Sequence, residues 1–214
     1  MKLSKPHINT AKSEAILKAA KALFLKNGYA ATTMDDVAKK AGLTKQTVYS
    51  YYRNKDVLFQ VMILSLCERK TPADADYIPD DVPFETLMTN IGSKLLDLIT
   101  SAEVLATTRL VIAESERHPK VAKAYYESGT QQIVHMISGF LQVMNKRGVT
   151  AIPNTESAAS YFLAMIKGQH YVRMILRVKP ASSEAMKLAH VKECVRIFVA
   201  LFCSKNPLVT KSTL

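Results

Sequence analysis

Cysteine is scarce in this chain of 214 residues, and the three present, Cys67, Cys194 and Cys203, stand apart from one another. That spacing excludes a disulfide scaffold and CxxC metal clips, and it fits a reducing compartment. None of the thiols has an activating lysine or histidine placed by sequence, so each reads as structural. The seven glycines are scattered, and neither GxGxxG nor the phosphate-cradling GxxxxGK-S/T occurs. HExxH is missing too, and the histidines keep no metal-ligand rhythm with cysteine. No nucleophile, base and orienting group can be nominated from spacing. An enzyme is therefore not expected, nor is a cofactor or a bound metal. Long apolar runs are also lacking. Val57–Cys67 and Val195–Cys203 are interrupted by Gln60, Ser65 and Arg196 and reach about half a bilayer span. The basic start, Met1 to His7, leads into no apolar segment. A cytoplasmic protein without a membrane role is the expectation.

What the chain has in excess is positive charge: 29 Lys and Arg against 18 Asp and Glu, for a net +11. Such a balance favours phosphate-bearing partners or an anionic surface. It is unevenly spread. Residues 1–70 hold 13 Lys and Arg and 5 acids, while residues 71–214 hold 16 and 13. A basic module joined to a near-neutral one follows, with Thr71–Pro83, rich in Pro and Asp, as a linker. A basic membrane-surface protein would need a lysine-rich amphipathic helix; only the first helix, with Lys12, Lys18, Lys21 and Lys26, resembles one.

Nearly all of the rest has helical spacing. Ile16, Ala20, Leu23 and Phe24 form a stripe that Asn27-Gly28 closes, and short segments follow at Met34–Ala41 and Lys45–Tyr52. A longer helix starts at Lys55. Beyond the linker come Phe84–Thr100, Glu103–Arg117, Lys120–Arg147, Thr155–Val178 and Glu184–Ser204, separated by His118-Pro119, by Gly148 with Pro153, and by Pro180. The expected fold is all-α with about nine helices. Residues 1–54 would make a three-helix DNA-binding domain, and residues 55–214 a larger helical domain for ligand binding and dimerisation.

The two short helices are the informative part. Thr33 precedes Asp36 by three residues, as in an N-cap supported by an acid. Gly42 suits a helix stop, Leu43 anchors the turn and Thr44 is a natural N-cap for the next helix. Two short helices across such a turn make a helix-turn-helix. In the second, Val48 and Tyr52 would pack inward, leaving Lys45, Gln46 and Tyr49 outside. Lys45 suits guanine O6 and N7, and Gln46 matches adenine. Thr47 offers a hydroxyl to phosphate or a methyl to thymine, Tyr49, Tyr51 and Lys55 reach for the backbone, and Thr33 adds a helix-terminal phosphate contact. The bland reading of the same residues is a solvated face with an aromatic core edge. Agreement among caps, turn, spacing and charge favours DNA.

These residues carry a family resemblance. Ala15-Ile16-Leu17-Lys18-Ala19-Ala20, Phe24, Gly28-Tyr29, Thr32-Thr33-Met34, Val37-Ala38, Ala41-Gly42-Leu43, Thr47-Val48-Tyr49, Tyr52, Asn54-Lys55 and Leu58 stand in the order seen in the DNA-binding domain of the TetR (tetracycline-repressor) family. From Ser13 to about Met62 the chain resembles that domain without a gap. Tyr52 stands where the family usually has Phe, and Ser50 where an aromatic is common. The resemblance implies a homodimeric regulator that binds double-stranded operator DNA through Lys45–Tyr52, with Thr33, Thr44, Tyr49, Tyr51 and Lys55 near phosphates.

Dimers of this kind need a contact between chains. The last two helices suit it, because Phe198–Cys203 is apolar all round. Phe162, Ile166, Val195, Phe198, Val199 and Phe202 are the candidates; the alternative is a helix buried in its own domain. Met88, Met136, Met144, Met165 and Met174 lie among Phe140, Phe162, Tyr125, Tyr126 and Tyr171, a mixture suited either to core or to an adaptable pocket. Arg109, Glu114, His135, Gln169 and His170 could orient a ligand there or stay at the surface. Met88, Arg109, Tyr125, Met136, Phe140, Phe162, Met165, Gln169 and His170 are taken as ligand candidates. Arg109–Pro119 resembles the ligand-domain segment of repressors that control efflux pumps, which implies a small lipophilic effector.

Overall fold

Helix stop signals and caps do most of the local work in this chain, and the elements follow them. A computed structural model of the chain describes residues 10–68, 81–178 and 183–203. The helices are α1 (Thr10–Ala31), α2 (Met34–Ala41), α3 (Lys45–Tyr51), α4 (Lys55–Glu68), α5 (Phe84–Ile99), α6 (Ala102–Glu114), α7 (Pro119–Tyr125), α8 (Gln131–Lys146), α9 (Thr155–Ile175) and α10 (Glu184–Phe202). No strand occurs among the described residues. Most of the expected linker and the Pro180 break lie outside them.

Two expected helices are interrupted. The segment read as one helix over Lys120–Arg147 is α7 and α8 joined by a π-helical turn, Tyr126–Thr130. α9 breaks at Gly168, whose φ of 43° and ψ of −155° leave the helical region. Neither break has a proline to announce it.

The described chain forms two compact units. They do not part after Asn54, the boundary read from the sequence. The first unit runs through Arg69 and also takes Ala106–Gln131, so α4, the C-terminal part of α6 and α7 join α1–α3. The physical reason is a shared core. Phe59 of α4 packs edge-on against Phe24 and Tyr29 at ring separations of 5.4 Å, and Val111 and Val121 are buried in the same cluster. Ile16, Ala20, Phe24, Val48 and Leu58 are wholly enclosed. At about 25 cal/mol per Å² of apolar surface, such a cluster dominates the stability of a small unit.

The second unit comprises Lys70–Leu105 and Gln132–Leu214. α5, α8, α9 and α10 surround a core in which Phe162 and Phe198 meet at 5.2 Å and Phe84 stacks on Phe140 at 6.1 Å. Asn145 closes the α8–α9 connection. Its amide donates to the Ile152 carbonyl, while its Oδ1 accepts from Thr150 Oγ1 and the Ile152 N–H. No helix among the described residues is long and apolar enough to cross a membrane.

Candidate nucleic-acid interface

Thr33 is the N-cap of α2. Its Oγ1 accepts from the Asp36 N–H at 3.1 Å, and the Asp36 carboxylate accepts in return from the Thr33 N–H and hydroxyl. Those bonds hold the Asp36 carboxyl below its ordinary range. The helix ends at Gly42, left-handed at φ 67° and ψ 31°, and the Leu43 N–H returns to the Ala38 carbonyl. Thr44 then caps α3 by accepting from the Thr47 N–H. Val48 and Tyr52 are buried with Phe24 and Val37, and the Tyr52 hydroxyl is 2.8 Å from Ser13 Oγ. The first turn of α3 is thereby held outward by capping on one side and burial on the other.

On the outer side Lys45, Gln46 and Tyr49 are exposed. The Lys45 ammonium lies 5.8 Å from the Tyr49 ring centroid and donates to Asp35 at 2.9 Å. The Asp35 carboxylate raises the Lys45 pKa, keeping it cationic. Asp35 was not anticipated; a carboxylate ten residues upstream leaves no periodic signal. A phosphate or guanine acceptor would compete with it for the same ammonium.

The remaining candidates divide. Thr33 and Thr44 are exposed, but both hydroxyls already serve caps, and Thr47 Oγ1 is 2.8 Å from Thr44 Oγ1. Tyr51 is half-buried, with its ring 6.3 Å from that of Tyr52. Lys55 is differently engaged from the phosphate contact expected of it. Its ammonium donates to the Tyr29 and Ala30 carbonyls at 2.9 and 3.1 Å and lies 4.5 Å from the Tyr29 ring centroid. A cation there satisfies the open carbonyls at the end of α1 and complements its dipole. Arg53, exposed between α3 and α4, is a basic side chain that the sequence reading left out.

The ligand candidates fall in both units. Met88, Phe140 and Phe162 are interior to the second unit, with Met136 and Met165 packed against that core. Gln169 is exposed, and His170 lies with its ring 4.7 Å from that of His190. Arg109 and Tyr125 belong to the first unit, where the Tyr125 hydroxyl is 2.6 Å from Thr108 Oγ1. The dimer candidates divide as well. Phe162, Ile166, Val195 and Phe198 are buried inside their own unit, whereas Val199 and Phe202 are only partly covered. The outward apolar side chains on the same helices are others, among them Tyr161, Val172 and Leu201. Burial pushes the Cys194 thiol up and, with Glu85, raises Cys203 to about 11. The Cys67 side chain lies outside the described residues. No group of three potential ligating side chains suited to a metal occurs among the described residues.

Comparison with known proteins accords with this geometry. Residues 16–62 match the family model described as bacterial regulatory proteins, tetR family, and residues 86–204 match that of the AefR-like transcriptional repressor C-terminal domain. The HTH-type transcriptional regulator YvkB of Bacillus subtilis (strain 168) is 27% identical over 167 residues, covering 77% of this chain and 84% of its own. A solved structure from Mesorhizobium loti, described as a TetR-family transcriptional regulator, superposes with a TM-score of 0.77 at 26% identity, covering 91% of this chain and 98% of that one. The flavonoid-responsive regulator FrrA superposes at 0.75 with 25% identity, over 92% of this chain and all of its own. These relatives are transcriptional regulators, not enzymes.

Proposed function

The chain belongs to the TetR family of transcriptional regulators, and on that premise we propose that it is a homodimeric repressor released from its operator by a small lipophilic effector. The observation that carries the DNA half is α3 itself: a capped helix, buried on Val48 and presenting Lys45, Gln46 and Tyr49. Two copies would sit in successive major grooves of a pseudo-palindrome. Lys45 would leave Asp35 for a base or phosphate, and Gln46 would read a neighbouring base edge. Arg53 joins the candidates for a phosphate contact. Lys55 instead holds the end of α1, so its part is positioning. Such a regulator works where the chromosome is, in the cytoplasm.

Dimerisation is supported by α9 and α10, which expose Tyr161, Val172, Met186, Leu188 and Leu201, with Leu176 exposed just after α9, while other side chains of both helices fill the core. Exposed apolar side chains on two neighbouring helices mark an interaction surface. The contact would use these outward residues with Val199 and Phe202. The repressor sign is supported by the C-terminal family model, and a lipophilic effector by the name of FrrA. An effector would act by binding one state of the dimer more tightly, a coupling of about 1–3 kcal/mol.

Operator selection from random duplexes, followed by footprinting of DNA flanking the gene, tests the reading. The Lys45→Ala and Tyr49→Ala proteins should fold, yet bind the selected operator about 10- to 100-fold more weakly. Unchanged affinity in both would sink the recognition-helix assignment. A second reading, a DNA-binding regulator without small-molecule input, is favoured by the complete burial of Met88 and Phe162 in the core. Thermal-shift screening against lipophilic compounds, flavonoids first, separates the two, since a ligand of the native state raises its melting point.

A further inference from the structure

The outward lysine of α3 is held by a carboxylate of α2. Lys45 Nζ lies 2.9 Å from both Asp35 carboxylate oxygens, and this bridge joins the first residue of α3 to the second of α2 across the turn. The two side chains are 61% and 58% exposed, and an exposed ion pair adds little to stability. The turn does not need it, because Gly42, the Thr44 cap and the buried Val37 and Val48 already fix α2 against α3. Nor does Asp35 serve the α2 cap, which is built from Thr33 and Asp36. Residues 1–70 hold 13 Lys and Arg and only 5 acids, yet one of those acids sits on the lysine best placed for DNA. Its effect is on what Lys45 can bind.

We propose that Asp35 is a specificity-determining residue, which keeps the Lys45 ammonium off phosphates and reserves it for base edges; the proposal rests on α3 being the recognition helix. The pair carries no net charge, so bringing it to the phosphate backbone releases no counterion. To reach a phosphate, Lys45 must exchange one anion for another and leave the Asp35 carboxylate unpaired beside it, where like charges repel. To reach guanine O6 and N7, it exchanges an anion for neutral acceptors, and the carboxylate left behind meets no new negative charge. The first exchange therefore costs more than the second. Non-specific complexes are made almost wholly of phosphate contacts, so they are the ones that Asp35 weakens most.

Binding of the full chain to the selected operator and to random-sequence duplex, each over a range of salt, tests this. The proteins compared are wild type, Asp35→Asn, Lys45→Ala and the double variant. Asp35→Asn should bind random duplex about two- to fivefold more tightly per subunit. Its log–log salt slope on that duplex should steepen by about 0.9 per subunit, one added phosphate contact. Operator affinity should rise less, so the ratio of operator to random affinity falls. Asp35→Glu, which keeps the charge, should keep the wild-type ratio. In the Lys45→Ala background, loss of the carboxylate should raise both affinities alike and leave the ratio unchanged, because no ammonium remains to be redirected.

Thermal unfolding checks that Asp35→Asn keeps the fold; should it not, Asp35→Ser carries the same comparison. An unchanged ratio in Asp35→Asn, or the same fall with and without Lys45, overturns the proposal and leaves the recognition helix standing. Wild-type operator affinity in Lys45→Ala would mean that this lysine reads nothing, which removes the premise and the proposal together.

Discussion

The carboxylate of Glu114 accepts the backbone N–H of Tyr29 at 3.1 Å, across 85 residues of sequence. The N–H is open to it because Gly28, at φ 85° and ψ 169°, breaks the helical run within α1 just before Tyr29. The second oxygen of Glu114 lies 3.6 Å from His118 Nε2, and the His118 ring is 5.5 Å from that of Tyr29. From the other side Lys55 holds the carbonyls of Tyr29 and Ala30. The end of α1, directly before the helix-turn-helix, is thus held through its donor and its acceptors at once, by residues from two other helices.

Gly28→Ala should destabilise the protein. A conformation of this kind suits glycine almost alone and costs another residue about 1–3 kcal/mol. The added Cβ would also sit 3.1 Å from Glu114 Oε1. A lower denaturant midpoint with unchanged slope is the expected result.

Removing Glu114 tests the same contact from its acceptor side. Glu114→Ala leaves the Tyr29 N–H without its acceptor, a loss of about 1–3 kcal/mol, whereas Glu114→Gln keeps an oxygen and should lose less. Denaturant unfolding of both variants decides; equal losses would mean that the negative charge of Glu114, and not an acceptor oxygen alone, holds the contact.

Tyr29 governs the alkaline limb of stability. Burial, and then its hydrogen bond to Asp56, push its pKa well above the ordinary value. The unfolded chain releases this proton near pH 10 while the folded chain keeps it, so stability holds below that pH and declines above it. Tyr29→Phe should flatten the decline. Tyr52, also raised by burial, should leave a residual slope. Unfolding midpoints between pH 8 and 11 provide the check.

The α2 cap is separable from DNA contact. Thr33→Ala should lower stability by about 1 kcal/mol, and Thr33→Ser should retain most of it. Because the Asp36 carboxyl is held low by Thr33, its share is present above about pH 4 and lost as pH falls through the depressed value. The Thr33→Ala profile should therefore be flatter in acid.

Operator affinity should fall steeply with salt, with a log–log slope of about −0.9 for each phosphate neutralised. Lys45→Ala should reduce the slope by about one contact if the lysine meets phosphate, and relax base preference if it meets guanine. A complex insensitive to salt would mean that the excess charge of the first seventy residues does not serve DNA.

Much of this molecule was legible in one dimension. Thr33 with Asp36, Gly42 and Thr44 specify α2, the turn and α3 through bonds that span only a few residues, so the helix-turn-helix could be read before any packing was known. The surplus of Lys and Arg in residues 1–70 pointed the same way. What closes over longer distances was not legible. Lys55 reads as a free cation beside a recognition helix, and only the fold brings it onto carbonyls more than twenty residues away. The apolar faces of α9 and α10 could equally have met a second chain or their own core. Tertiary structure turned Phe162, Ile166, Val195 and Phe198 inward and left Tyr161, Val172 and Leu201 outside. Helical periodicity records that a face must be covered, since burying apolar surface is favourable whatever covers it. Which partner does so depends on how the helices close on one another, and that geometry belongs to the folded chain.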